Sequence, residues 1–250
     1  MSIGVLHPSM KIAVLSDIHG NLSALRNVLE DAERMGAEKI IILGDVIDYC
    51  MHSNEVIELL KKYDERIICN IWGNHEYSIM NEDYERFSSE RGVQSAIHTR
   101  SVLTGDSFDY LNNVMDKSGK TELEVDGKRI LCLHGSIEKI YWSAIKNTSD
   151  LSQYGQYDFV LSGHSHRPHF FEEYYDVYNP EIRNKKKCTF INPGSVGQPR
   201  NRNCRSQYCI IDFTTEEVIF RKVDYDIDSE MDAFDGSVDI FYKERLRNGV

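Results

Sequence analysis

The chain has 250 residues, 41% hydrophobic and 28% charged, with 40 acidic against 29 basic side chains and a formal net charge of -11. That length supports a substantial core, and the composition is that of an ordinary globular protein, which excludes collagen-like, low-complexity and disordered classes. The acidic balance argues against long nucleic acid as a partner, yet leaves small phosphorylated substrates open because bound divalent cations invert a local field.

Residues 1–9, MSIGVLHPS, lack a basic start and an apolar stretch long enough for secretion, and no apolar run approaches membrane-spanning length. We expect a short N-terminal extension at 1–9, a single domain over 10–228, and a tail or short helix at 229–250. His7 reads as a tail residue. The six cysteines form no CxxC pair, and Cys69 and Cys132 sit in apolar runs as buried thiols, which suits a reducing cytoplasm and no membrane association. Cys204 and Cys209 read as unpaired.

Lys11 to Leu15 predicts a strand, and LSALRNVLEDAERMG after it has helical spacing closed by Gly36. Residues 39–43 predict a buried strand, 53–62 a helix with Ser53 as N-cap, and 66–70 a third strand. This βαβαβ order favours parallel strands, whose carboxyl ends gather the residues that follow them. The segment 82–116 reads as mainly helical, broken near Gly92 and Gly105. Asp126-Gly127 between 121–125 and 129–133 is a hairpin signal. Further strands are expected at 157–161, 170–178, 187–191, 207–213 and 217–223, the last four in a second sheet. Tyr141, Trp142, Tyr174, Tyr175 and Tyr178 read mostly as packing residues, and Lys185-Lys186-Lys187 as a solvated turn.

The strands end in polar clusters: Asp17-Ile18-His19-Gly20, Gly44-Asp45, Gly73-Asn74-His75-Glu76, His134-Gly135 and Gly163-His164-Ser165-His166. Alone, each is weak. Asp-x-His is common in turns, an Asp after Gly caps helices, and any one histidine can satisfy a core hydrogen bond. Together, two carboxylates, an amide and four histidines supply three or four protein ligands to each of two cations, with Asp45 able to bridge them.

The ordered blocks DIHGN (17–21), GDVID (44–48), GNHE (73–76), HGS (134–136) and GHSH (163–166) resemble the calcineurin-like metallophosphoesterase superfamily, especially its small bacterial and archaeal phosphodiesterase-like members, across roughly 10–223. The resemblance implies an α/β fold, a four-layer αββα sandwich with two central mixed β-sheets flanked by helices. It implies two divalent transition-metal ions, manganese foremost, with iron, zinc or nickel as the others. One would be held by Asp17, His19, Asp45 and His166, the second by Asp45, Asn74, His134 and His164. His75 would be the catalytic residue at the leaving oxygen, with a metal-bound hydroxide as nucleophile.

This sequence departs from the family at Glu76, where aspartate is common, and at Asn201-Arg202-Asn203-Cys204, where an Asp-Gly-Asp-Pro segment often follows the position of Arg200. The stretch 192–200 resembles another family block, and Arg200, Arg202 and Arg205 are candidates for phosphate contact. The expected function is a binuclear metal-dependent phosphoesterase acting on small phosphodiester or nucleotide-like substrates. A metal-stabilised protein-interaction scaffold and a polymer-directed nuclease are the alternatives, and homo-oligomer formation is left open.

Overall fold

Short runs rich in isoleucine and valine form the strands, and their burial decides which layer each joins. The computed structural model describes residues 10–178 and 185–250; the expected extension at 1–9 lies outside them. β1 (Lys11–Leu15), β2 (Lys39–Ile42) and β3 (Ile67–Asn70) pair in parallel, joined through α1 (Leu22–Arg34) and α2 (Ser53–Lys61). Helix α1 starts where the Asn21 side chain accepts the Ala24 amide at 2.9 Å, and it buries Ala24, Leu25, Val28, Leu29 and Ala32 as one stripe. His52 rather than Ser53 occupies the N-cap position of helix α2, without a side-chain cap bond, and the Ser53 hydroxyl instead accepts the Asp48 amide at 3.1 Å.

α3 (Asn74–Asn81), α4 (Glu90–Val102) and α5 (Gly105–Asn113) follow. The helical region breaks at Gly105 as expected but not at Gly92, which lies in the first turn of α4, its amide held by the Ser89 hydroxyl. β4 (Lys120–Val125) and β5 (Lys128–Leu133) form the hairpin, with Asp126 and Gly127 both at positive φ, the geometry that matches strand twist. The remaining elements are β6 (Phe159–Ser162), β7 (His169–Asp176), β8 (Lys185–Asn192), β9 (Ser206–Asp212), β10 (Glu217–Val223), α6 (Ile227–Asp232) and α7 (Ile240–Asn248).

Two mixed five-stranded sheets result, ordered β10-β9-β1-β2-β3 and β4-β5-β6-β8-β7. The expectation that β7 to β10 share the second sheet holds for β7 and β8 only. β9 runs antiparallel to β1 and completes the first sheet with β10, because fully buried β9 needs a partner on both edges. The lysines 185–187 are not a turn: they begin β8 and pair with Asp176, Asp158, Glu172 and Glu216.

The inner faces of both sheets meet through Ile12, Val14, Ile41, Leu43, Ile130, Leu161, Ile211 and a T-shaped Phe159–Phe213 pair 5.0 Å apart. The helices α1 to α5 cover the outer face of the first sheet. The fourth layer, over the second sheet, is built by the segment carrying Ile137, Ile145, Leu151, Tyr154 and Tyr157. The architecture is thus a four-layer αββα sandwich. Among the described residues no helix is long and apolar enough to cross a membrane.

Two outcomes follow for stability. Phe213→Ala, which empties the inter-sheet contact, should cost about 3–5 kcal/mol in urea unfolding. At the α1–α2 corner, buried Glu230 accepts the Ser23 amide at 3.2 Å and His52 Nδ1 at 2.8 Å, and that hydrogen bond raises the His52 pKa from 6.5. Protonated His52 therefore stabilises the fold below its unfolded pKa, and the contribution disappears as pH rises through the higher folded value. The stability gap between wild type and His52→Gln should be widest below about pH 6.5 and shrink as pH rises above it; a pH-independent gap would refute it.

Candidate metal centre

The carboxyl ends of β1, β2, β5 and β6 deliver Asp17, Asp45, His134 and His164 to one edge of the sandwich, and the loops lock there through backbone hydrogen bonds. The Asp17 amide donates to Gly44 O at 3.1 Å, the His19 amide to Asp45 O at 2.9 Å, and the Gly163 amide to His134 O at 2.9 Å. The Gly197 amide reaches Asp17 O at 3.0 Å, bringing in the 192–200 stretch. A Cβ at Gly197 would lie 1.8 Å from Ile18 O, so only glycine permits that approach. Asp17, His19, Asp45, His164 and His166 all have positive φ, between 51° and 64°. Such backbone costs on the order of 1–3 kcal/mol per residue and persists only when its surroundings over-determine it.

Asp17, His19, Asp45 and His166 present donor atoms within 4.8 Å of one another, and Asp45, His134 and His164 do likewise. Asp45 belongs to both groups: its Oδ2 is 3.7 Å from His19 Nε2 and 3.3 Å from His134 Nε2. Asn74 Oδ1 joins the second, 3.0 Å from His134 Nε2 and 2.9 Å from His164 Nδ1. All seven predicted positions are therefore brought together.

The donor set fits cations. Both Asp17 carboxylate oxygens are buried without a hydrogen-bond partner among the described residues. His19, His134 and His166 each donate Nδ1–H to a backbone carbonyl, of Ile47 (3.2 Å), Leu43 (2.7 Å) and Gln198 (2.7 Å), which turns the Nε2 lone pairs inward. His19 Nε2 and His166 Nε2 then face each other at 3.2 Å, a contact that a shared cation would relieve. Burial raises the Asp17 pKa to about 7 and depresses His19, His166 and, to about 3, His164. Burial opposes charging of His134 too, but the Asp45 carboxylate outweighs it and raises that pKa to about 9. The clusters together form a candidate binuclear divalent-metal site.

His75 sits beside the clusters rather than in them. Its amide donates to Asp45 Oδ1 at 2.9 Å, and its Nδ1 lies 2.6 Å from Asp48 Oδ2, which leaves Nε2 for the cavity. Asp48 is held in turn by Ser95 Oγ (2.7 Å) and Thr99 Oγ1 (2.8 Å) from α4. Burial works against a charged His75, but Asp45 and Asp48 prevail and raise its pKa. Tyr49 packs edge-on against His75 at 4.5 Å and is itself stacked at 4.2 Å on Tyr242 of α7.

Glu76 hydrogen-bonds to backbone rather than to His75. Its carboxylate accepts the amides of Gly73, Asp45 and Val46 at 2.8 Å and of Ile47 at 3.2 Å. The extra methylene relative to aspartate thus serves a backbone clasp. A cavity of about 290 Å³ opens over Asp45, Asn74, His75, His164 and His166, walled by Tyr49, Arg86, Phe87, Trp142 and Arg200. Of the predicted arginines, only Arg200 reaches it; Arg202 and Arg205 are exposed elsewhere. Trp142 lines the cavity, Tyr141 and Tyr175 pack against the cores, and Tyr174 and Tyr178 are exposed. The sequence reading assigned nothing to Asp48, Tyr49, Arg86 or Phe87. Asp48 ends the GDVID block, which was its only signal.

Loop-borne carboxylates and imidazoles at strand ends of an αββα sandwich define a metal-dependent hydrolase fold. The chain belongs to the calcineurin-like phosphoesterase superfamily, whose domain it matches over residues 10–216. It is 31% identical to protein MJ0912 of Methanocaldococcus jannaschii over 222 residues, 86% of this chain and 88% of that one. A metallophosphoesterase structure from Sphaerobacter thermophilus superposes with a TM-score of 0.75 at 25% identity, covering 97% of this chain and all of the other. Protein PH1004 of Pyrococcus horikoshii superposes at 0.78 with 21% identity, covering 96% and 99%, and shares the fold.

Removing the Glu76 clasp by Glu76→Ala should cost about 3 kcal/mol or more, since it strands buried amides that bonded a carboxylate. Thermal unfolding checks this, and a variant as stable as wild type would reject the clasp.

Proposed function

We propose that the chain is a binuclear metal-dependent phosphoesterase acting on a small phosphodiester or nucleotide-like substrate. The observation that carries it is the His75–Asp48 pair, buried yet opening onto the same cavity as both clusters; a scaffold would not need it. In this reading Asp17, His19, Asp45 and His166 hold one cation and Asp45, Asn74, His134 and His164 the other. The mixed oxygen and nitrogen donors suit manganese, and equally iron, zinc or nickel. When bound, the cations activate a water for attack at phosphorus and neutralise charge on the phosphoryl oxygens.

His75, whose pKa Asp45 and Asp48 raise against the opposing effect of burial, donates its Nε2 proton to the departing ester oxygen. Asp48 fixes the tautomer and ring plane. Arg200 and Arg86 supply positive charge at the cavity wall, where phosphoryl oxygens orient against them. Phe87 and Trp142 pack the ester group and thin the surrounding water. The small cavity, with the net charge of -11, favours a small substrate over a polymer. We further propose that residues 10–228 form one metallophosphoesterase domain on which 229–250 docks through Tyr242 and Leu246, both buried. The five buried free thiols suit a reducing cytoplasm, where we place the chain.

Metal content and turnover of p-nitrophenyl mono- and diesters, measured together, test the roles. Asp45→Asn should lower metal stoichiometry at both positions. His75→Ala should retain metal while turnover falls about 10²–10⁴-fold, and Asp48→Asn should fall about 10–100-fold. Metal-loaded wild type without turnover on any ester would overturn the function, and full stoichiometry in Asp45→Asn would overturn the bridge.

A further inference from the structure

Arg200 lines a second cavity as well as the first. This one, of about 360 Å³, is bordered by Ile145, Lys146, Arg167, Pro168, His169 and Arg200. Three of these side chains carry fixed positive charge, no carboxylate lines the cavity, and among the described residues none of the three forms an ion pair. In a chain of net charge -11 such a local excess of cations runs against the average. The second observation is independent of charge. Arg200 Nε and His169 Nε2 are both buried and lack any hydrogen-bond partner among the described residues. Arg200 Nε always carries a proton, and a buried donor left unpaired costs about 1–3 kcal/mol, so this guanidinium beside the cavity is short of an acceptor.

The backbone around Arg200 is fixed. Its amide donates to His166 O at 3.2 Å, and its carbonyl accepts Arg167 Nε at 2.9 Å. From that anchored backbone Arg200 lines both the cavity over the metal clusters and this basic neighbour. Apolar Ile145 and Pro168 line the floor, which strengthens charge-assisted bonds made there.

We propose that the second cavity is an anion subsite for a further phosphate of the substrate, so that the preferred substrate is a small phosphoester carrying two phosphoryl groups, one at the metal clusters and one held by Lys146, Arg167 and Arg200. The substrate assignment rests on the phosphoesterase reading; the subsite itself does not.

Binding to the metal-loaded protein, measured by calorimetry for alkanediol bisphosphates of graded chain length and their matching monophosphates, reads the subsite without requiring turnover. At least one bisphosphate should bind about tenfold more tightly than its monophosphate. Lys146→Glu and Arg167→Ala should each erase most of that ratio. The Lys146 ammonium makes no hydrogen bond or ion pair among the described residues, so its reversal probes charge without breaking a structural contact. A ratio near one across the whole series in wild type, or a ratio that survives both substitutions, overturns the subsite. Turnover of p-nitrophenyl esters by the same preparation separates the two claims: its absence alongside an intact ratio overturns the hydrolytic reading alone.

Discussion

Four backbone amides converge on the Glu76 carboxylate, and the rest of the site takes its geometry from that clasp. Glu76 belongs to α3, while three of the amides belong to the loop after β2. One buried charge thus sets Asp45, shared by both clusters, in a fixed relation to Asn74 and His75. The five candidate ligands with left-handed backbone need such ties. Their unfavourable φ values are maintained by the carbonyl and amide partners that each loop finds in its neighbour.

The electrostatics show a site whose protein groups do not balance by themselves. The Asp17 carboxylate has no hydrogen-bonding partner among the described residues and a pKa pushed to about 7, His19 and His166 resist protonation, and His134 accepts a proton only because Asp45 faces it. Cations entering would ionise Asp17 and discharge His134, releasing protons as they bind. His75 stands apart, since its partner Asp48 is saturated by Ser95, Thr99 and the imidazole itself. In the proposed function, metal retention and proton donation fall to different side chains.

Much of this could be read from the sequence because the strands and their polar endings are local signals. An apolar run followed by Gly-Asp or Gly-His places a ligand at a sheet edge whatever the partner strand. Sheet membership was less legible: the pairing of β9 with β1 joins segments far apart in the chain, and no local pattern encodes it. The cavity walls were least legible. Arg86 and Phe87 lie in a loop without regular spacing, the buried, unpartnered Nε of Arg200 is a product of tertiary packing, and the Glu76 clasp depends on amides that every residue carries. The choice of Ser53 as cap failed for a related reason, since its hydroxyl was already taken by a tertiary contact.

The stack of Tyr242 on Tyr49 has a consequence for synthesis. A ribosome makes the loops carrying Asp17, Asp45 and His75 early and α7 near the end of the described chain, after the 10–216 span shared with the superfamily. Until α7 emerges, Tyr49 lacks the stacked Tyr242 ring and Gln198 lacks the Tyr242 carbonyl 3.5 Å away. The nascent protein can therefore collapse its sheets while the wall behind His75 is still open. Docking of α7 adds the ring behind Tyr49, which makes completion of the cavity wall a late event in the life of each molecule.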